Sequence, residues 1–581
     1  MRCLADVRHL NVPLIRRIMM NRNMARFSVG LGSMLLCVAW SGCATFRSAE
    51  TLPAYGVTGS PQVFEDMGMH QRTVTTDSPE AQKYFNQGLN WMYGFNHDEA
   101  VRAFTKAAEI DPNCAMAWWG IALCNGPHIN NPLMPPERSH AAWDALQQAL
   151  ALQDGATETE RMLIQALSQR YADPPPTDRA PLDRAYAAAM REVWRAHPED
   201  PDVGTLFAEA LMDLRPWDLW TRAGQPRDET KEVLAALEAV LALDPDHPAA
   251  NHLYIHTIEA SPHPERANAA ADRLRQLVPA SGHLVHMPSH IDVLTGRWAQ
   301  ASQQNEAAIE VDRAYRAISP KQEFYRLYMA HNHHMLAFAA MMEGRSAVAV
   351  RAARNLVTSV PEEYLRRNAA LMDPYTGAVY DVLKRFGRWD DLLREPAPPA
   401  YLPITTAMWR FNRGVAYAAQ GELENAGREQ ALFAEASAVV PDDALMAINP
   451  AKNIMRIAKH FLEGEIAFRR GDIDASVAEL RRAIAFEDEL LYMEPPEWMQ
   501  PVRHTLGAVL LSAGRHQEAE SIYREDLANW AENGWSLFGL SRALRLGGQT
   551  AQADEFDARF RKAWSRADAK IGSSCLCVPK T

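Results

Sequence analysis

The property that most narrows what this chain can fold into is its recurrence. From about Ser78 onward, amphipathic helix follows amphipathic helix, separated by short Asp-Pro or glycine-containing turns, and no stretch alternates apolar and polar residues as a half-buried strand would. The class expected is all-α. The recurrence also has a length, because Asp244-Pro245 and Val278-Pro279 place their prolines 34 residues apart. Further turns are marked by Gly296, Gly344, Gly387, Gly421, Gly471, Gly514 and Gly548, each followed by the pattern of a second helix. A period of this size denotes a helix-turn-helix unit that buries its apolar face by stacking on its neighbours. Irregular connections fall around 127–140, 215–228 and 316–322.

The first unit reads Tyr84-x2-Gln87-Gly88-x2-Trp91, then Ala100-x3-Phe104, Ala107 and Asp111-Pro112. This resembles the tetratricopeptide repeat, with Gln87 where that family usually has Leu. The resemblance implies a right-handed superhelical solenoid over nearly the whole chain, with Gly88 and Ala100 where helices A and B of a unit touch and Pro112 ending helix B. It divides the sequence into a leader (1–43), a linker (44–78), the repeat array (79–566) and a tail (567–581).

The histidines acquire meaning in the repeat frame. With Ala267, Ala301 and Ala349 as equivalent packing alanines of helix B, His252 and His256 fall on positions 5 and 9 of a helix A, with Glu259 on position 12. One period later, His283, His286 and His290 take positions 2, 5 and 9, and His331 and His334 repeat positions 2 and 5 after an insertion. Spacings of three and four put these rings on one stripe of each helix. The family resemblance implies that these positions face the concave groove, where helices 8–10 Å apart let imidazoles meet around an ion. Glu209, on position 9 of the preceding repeat, adds a carboxylate.

Imidazole and carboxylate donors without thiolate suit a divalent transition metal such as Fe, Cu or Zn, and their number allows two ions. His252, His256, His286 and His290 are the leading ligands, with His283, His331 and His334 completing the set. Glu209 and Glu259 are candidates for bridging ligand or general base. A polar peptide-binding groove accounts for the same stripe without a metal. His97 and His504 are assigned to packing or left aside, His128 to a loop that could reach the groove as a lid, and Trp118, Trp119, Trp217 and Trp220 mainly to core, with Trp217 able to cap a cavity. Met329, Met335, Met341 and Met342 read as core filler.

Composition removes several alternatives. The 60 Lys+Arg against 72 Asp+Glu leave −12, so the cationic surplus of a general nucleic-acid binder is missing and no nucleic-acid partner is expected. Seven cysteines in 581 residues form no disulfide framework and no paired CxxC; Cys575 and Cys577 are too close to join without strain and receive no function. No phosphate loop, dinucleotide fingerprint, GxSxG or HExxH occurs. Residues 24–43 run from a charged start through an apolar stretch to Ser41-Gly42-Cys43, which resembles a bacterial lipoprotein signal with Trp40 in the usual place of Leu. That resemblance implies export, to the periplasm or as a lipoprotein anchored through lipidated Cys43.

The functional expectation is an exported repeat protein whose concave face carries a His/Glu metal centre and acts on a small molecule by oxidation or hydrolysis. The alternatives are a non-enzymatic scaffold holding a peptide or envelope protein, and a metal carrier.

Overall fold

The computed structural model describes residues 61–320 and 322–578, so the expected leader and most of the linker lie outside the described residues. The described chain is all-α apart from a two-residue antiparallel ribbon, Leu445–Met446 with Asn449–Pro450. Successive helices pair and stack into a helix-turn-helix solenoid of the tetratricopeptide type. Among the described residues no helix is long and apolar enough to cross a membrane.

The repeat logic is written in side chains. Phe104 on α2 (His97–Ile110) is buried between Gly88 on α1 (Pro79–Tyr93) and Gly120 on α3 (Ala115–Cys124). A β-carbon on either glycine would lie 2.8 or 2.7 Å from that ring. Tyr523 is held in the same way between Gly507 and Gly539, at 2.4 and 2.2 Å. The contact expected between Gly88 and Ala100 is thus made by Phe104, one turn further along, while Ala100 is buried beside it.

All seven turn glycines of the sequence pattern have positive φ, from 62° to 83°, and each stands two residues ahead of a second helix. In the first unit that place belongs to Phe95, at φ 54°. A side chain held there costs about 1–3 kcal/mol of backbone strain, which the surroundings of Phe95 must offset.

Residues 61–78, expected as linker, form a strap across the first units. Gln87 explains its own departure from the repeat motif, because its side chain accepts from Phe64 N (2.9 Å) and donates to Gln62 O (2.7 Å), which a leucine could not do. The strap continues to Asp66, whose carbonyl accepts from Ala280 N at 3.0 Å.

Five further helices frame the centre: α4 (Pro201–Met212), α5 (Pro248–Ile258), α6 (Gly282–His286), α7 (Pro288–Leu294) and α8 (Trp298–Ile318). The next, α9 (Tyr325–Met342), closes its far side and buries Met329, Met335, Met341 and Met342 as core. The superhelix then folds onto itself. Tyr315 of α8 donates to Glu99 of the first unit (2.7 Å), Trp298 Nε1 donates to Ala531 O (2.8 Å), and Trp535 Nε1 donates to Met341 O (3.0 Å).

In the tail, Asp568 accepts from the N–H groups of Ser346 (2.6 Å) and Ala347 (3.0 Å), capping the helix Ser346–Thr358, and Cys575, Cys577 and Val578 are buried in the C-terminal core. Cys575 and Cys577 form a disulfide, the pairing that their spacing allowed only with strain, and a turn closed by Val578 N donating to Cys575 O (3.1 Å) brings their Cα atoms to 5.2 Å.

Replacing Gly88 by Val should lower stability by about 1–3 kcal/mol through overpacking against Phe104. Gly427, which has nothing within 4 Å of its Cβ position, should accept Ala with no loss. Thermal unfolding followed by circular dichroism checks both; equal losses would contradict the packing account.

Candidate metal centre

The centre forms where α5, α6, α7 and α9 present histidines to one cavity. Helix α1 ends at Tyr93, leaving its carbonyl free to accept a hydrogen bond, as the last carbonyls of a helix are, and His252 Nδ1 donates to it at 2.8 Å. His256 Nδ1 donates to Glu259 Oε1 at 2.9 Å. With the proton on Nδ1, each ring carries its lone pair on Nε2. Both Nε2 atoms are buried without a hydrogen-bond partner, and so are both ring nitrogens of His283. One donor atom from each of these three residues falls within 4.8 Å of the others. Leaving such groups unsatisfied costs about 1–3 kcal/mol each, whereas three converging lone pairs are a ligand set for a cation.

Helix α6 breaks at Met287 because Pro288 opens α7, yet His286 and His290 stay on facing turns with Nε2 atoms 2.8 Å apart. His286 Nδ1 donates to Asn305 Oδ1 at 2.7 Å, and that amide is fixed by Asn305 Nδ2 donating to Ala301 O at 2.8 Å. His290 Nδ1 donates to Glu259 Oε2 at 2.7 Å. Two bare lone pairs would therefore oppose one another unless a proton or a cation lies between them. The half-buried His331 completes this second trio, its ring 4.7 Å from that of His286.

Burial sets the electrostatics and the neighbours modify it. His252, His283, His286 and His331 are held well below the ordinary imidazole range, first by desolvation and then by adjacent imidazoles. They are neutral, as ligands must be. His290 runs the other way: burial would lower it, but Glu494 and Glu259 outweigh burial and lift it to about 10. Burial pushes Glu259 up, yet His256 and His290 bring it down to about 2. Glu494 is pushed up to about 8, by burial first. His290 Nδ1 has a single hydrogen directed at Glu259, so Glu494 Oε2, which also touches that nitrogen, is left without a hydrogen bond.

The rings open onto a cavity of about 310 Å³. His256, His283, His290, His331 and His334 line it, with Trp217, Tyr328, Glu494 and Glu497 among the other walls. Trp217, on the irregular 215–228 connection, stands edge-on to His256 at 5.2 Å, so it caps the cavity as well as packing. Phe95 lays its ring against His252 (4.5 Å) and His128 (4.6 Å), which places the one non-glycine turn residue of the pattern at the heart of the centre.

Of the residues expected from sequence, six histidines thus form two adjoining trios, and Glu259 links them through one oxygen to each. His334 lies on the cavity wall against Tyr375 (5.5 Å), pushed down to about 4 by burial. Glu209 lies near Arg170, pushed up to about 7 by burial against the pull of that arginine, and is not among the cavity-lining residues. His128 is buried, with its backbone paired to that of Asn131 and its ring 4.6 Å from that of Phe95. Sequence reasoning passed over Glu494 and Glu497, which lie between helices Ile473–Glu487 and Val502–Ser512; the only sign was the carboxylate-proline cluster Glu494-Pro495-Pro496-Glu497 outside the repeat frame.

Two other buried histidine groups differ in kind. His247 Nδ1 accepts from Ala250 N (3.1 Å), capping α5, so its Nε2 donates to Asp202 at 3.1 Å, where His70 (2.9 Å) also binds. His504 Nδ1 accepts from Arg385 (2.9 Å) and Nε2 donates to Asp526 (2.8 Å). Both nitrogens are engaged in each case, and these rings are structural.

No protein-family model matches this chain, and no curated protein matches it. Among solved structures, the human IFIT1 dimer with m7Gppp-AAAA aligns at 12% identity over 84% of this chain and 91% of that one, with a TM-score of 0.31. Yeast Tom70 aligns at 12% identity over 85% and 91%, with a TM-score of 0.27. The APC/C hetero-tetramer Cut9-Hcn1 aligns at 12% identity over 84% and 74%, with a TM-score of 0.28. The assignment of fold stands on the helix pairing and turn geometry above.

Buried neutral histidines make the fold acid-labile. His97 is pushed down to about 3 by burial and then by Arg138 and Arg170, and His333 down to about 4 by burial and Arg316. The unfolded chain takes up these protons near pH 6.5 and the folded chain refuses them, so their contribution is intact above pH 6.5 and is lost as pH falls toward 4, by about 1.4 kcal/mol per histidine per pH unit. Urea unfolding between pH 7.5 and 5 should show falling stability; stability that is flat or rises on acidification would contradict the burial described.

Proposed function

We propose that the cavity is a metal centre acting on a small molecule by metal-dependent oxidation or hydrolysis. The observation that carries this reading is the set of orphaned ring nitrogens on His252, His256 and His283. These three would hold one ion, and His286, His290 and His331 are the candidates for a second, whose binding would displace the extra proton that Glu494 and Glu259 favour on His290. A bound ion would supply Lewis acidity or redox capacity at the head of the cavity.

The chain's own groups have separable tasks. Glu259 orients His256 and His290 by accepting from the Nδ1 of each, the outer support that metal-bound imidazoles ordinarily have. Glu494 faces the cavity and burial pushes its carboxyl up, which suits a group that exchanges a proton with substrate there. Phe95 and Trp217 shield the rings from water. The walls are otherwise largely apolar, with Phe324, Leu327, Leu356 and Met372 among them, and a volume of about 310 Å³ fits a small, mainly apolar substrate.

A second reading, a non-enzymatic scaffold for a peptide or protein, is favoured by the open trough between helices Leu423–Ala438 and Ala451–Arg469, lined by Phe433, Met455 and Lys459. Export by a lipoprotein-like leader also belongs to the proposal, with any membrane association confined to that anchor.

Elemental analysis of untagged protein should find stoichiometric transition metal, lost in the His256→Ala/His290→Ala double variant with helical content unchanged. Metal-free wild type would leave the scaffold reading, and metal retained by the double variant would refute the ligand assignment. Fractionation of the source cells should find the chain in the envelope with its N-terminus processed; an unprocessed chain in the cytosol would contradict export.

A further inference from the structure

A second constellation lies in the C-terminal core and shares no residue with the histidine cavity. Cys575 and Cys577 sit against Glu465 of the helix Ala451–Arg469, with one donor atom from each of the three residues within 4.8 Å of the others. Glu465 is fully buried and neither of its carboxylate oxygens has a hydrogen-bond partner. A disulfide is uncharged and gives that carboxylate no hydrogen bond, so in the oxidised state only the nearby charges of Arg469 and Lys384 offset the cost of its burial.

The surroundings of the sulfurs suit a charged state better. Cys575 Sγ accepts from Cys577 N at 3.3 Å and from Gln500 Nε2 at 3.7 Å, and Thr505 Oγ1 lies 3.9 Å from Cys577 Sγ. Gln500 Oε1 is itself buried without a partner. Arg469 donates to Cys577 O, and it and Lys384 bring positive charge close to Glu465. Donors aimed at sulfur and nearby cations stabilise thiolates.

We propose that, once reduced, Cys575, Cys577 and Glu465 form a separate thiolate-carboxylate site for Zn2+ or a similar borderline-soft divalent ion. A dithiol reductant cleaves the S–S bond, becoming a disulfide while the protein gains two thiols. The ion then binds two thiolates and the carboxylate, releasing the two thiol protons and any proton on Glu465. Occupancy would pin Cys575 and Cys577 to the helix Ala451–Arg469 through Glu465, so metal and disulfide are alternative clasps for the same tail.

The test uses the full chain, reduced anaerobically with a dithiol, desalted and titrated with Co2+. Reduced wild type should develop thiolate-to-cobalt charge-transfer absorption in the near ultraviolet, absent from the oxidised protein and from Cys575→Ser/Cys577→Ser. Glu465→Gln should weaken Co2+ binding by about tenfold or more while the oxidised protein keeps its melting temperature. The His256→Ala/His290→Ala variant should retain the band, so this site and the histidine centre stand or fall separately. No band in the reduced wild type, a band that survives loss of both cysteines, or a pair that stays oxidised in the folded chain would each overturn the proposal.

Discussion

The centre depends on where four buried imidazoles keep their protons. Tyr93 O, Glu259 Oε1, Asn305 Oδ1 and Glu259 Oε2 accept from the Nδ1 atoms of His252, His256, His286 and His290. Each bond fixes a tautomer and an orientation, and each leaves Nε2 facing inward. His247 and His504, with equal burial, have their Nδ1 atoms turned into acceptors and their Nε2 atoms committed to carboxylates. A count of histidines cannot separate these classes; the direction of one hydrogen bond on each ring does.

The scaffold exists to make those directions possible. Stacked helix pairs set His252 and His256 beside His286 and His290, and Tyr315 and Trp298 tie this region to the first unit and to the C-terminal repeats. Desolvation then keeps most of the rings neutral. Phe95 shows what that arrangement costs, since seven equivalent turns use glycine and this one holds an aromatic ring at positive φ against His252 and His128. Strain retained where a side chain packs on candidate ligands marks the turn as part of the centre.

Much of this was legible beforehand, for physical reasons. Period and turn glycines express helix pairing, which is local, so the fold and the shared stripe of histidines follow from spacing. Glu259 was legible for the same reason, one turn beyond His256, although spacing could not say that both of its oxygens would be taken by Nδ1 atoms. Glu494 comes from a connection outside the repeat frame and reaches His290 only because the array closes, a long-range event with no periodic signal. His70 and Asp202 escaped notice because they meet across a strap that reads as a polar linker. For the cysteine pair, spacing showed the two residues to be close but not the turn at Val578 that sets the approach of their Cα atoms.

The most direct measurement is X-ray absorption at the metal edge of the untagged, oxidised full chain. The account predicts an ion surrounded by nitrogen and oxygen at about 2.0–2.1 Å, with the outer-shell scattering of several imidazole rings and no sulfur. An ion without imidazole scattering, or protein that cannot be loaded with any transition metal, would show that these histidines serve packing alone.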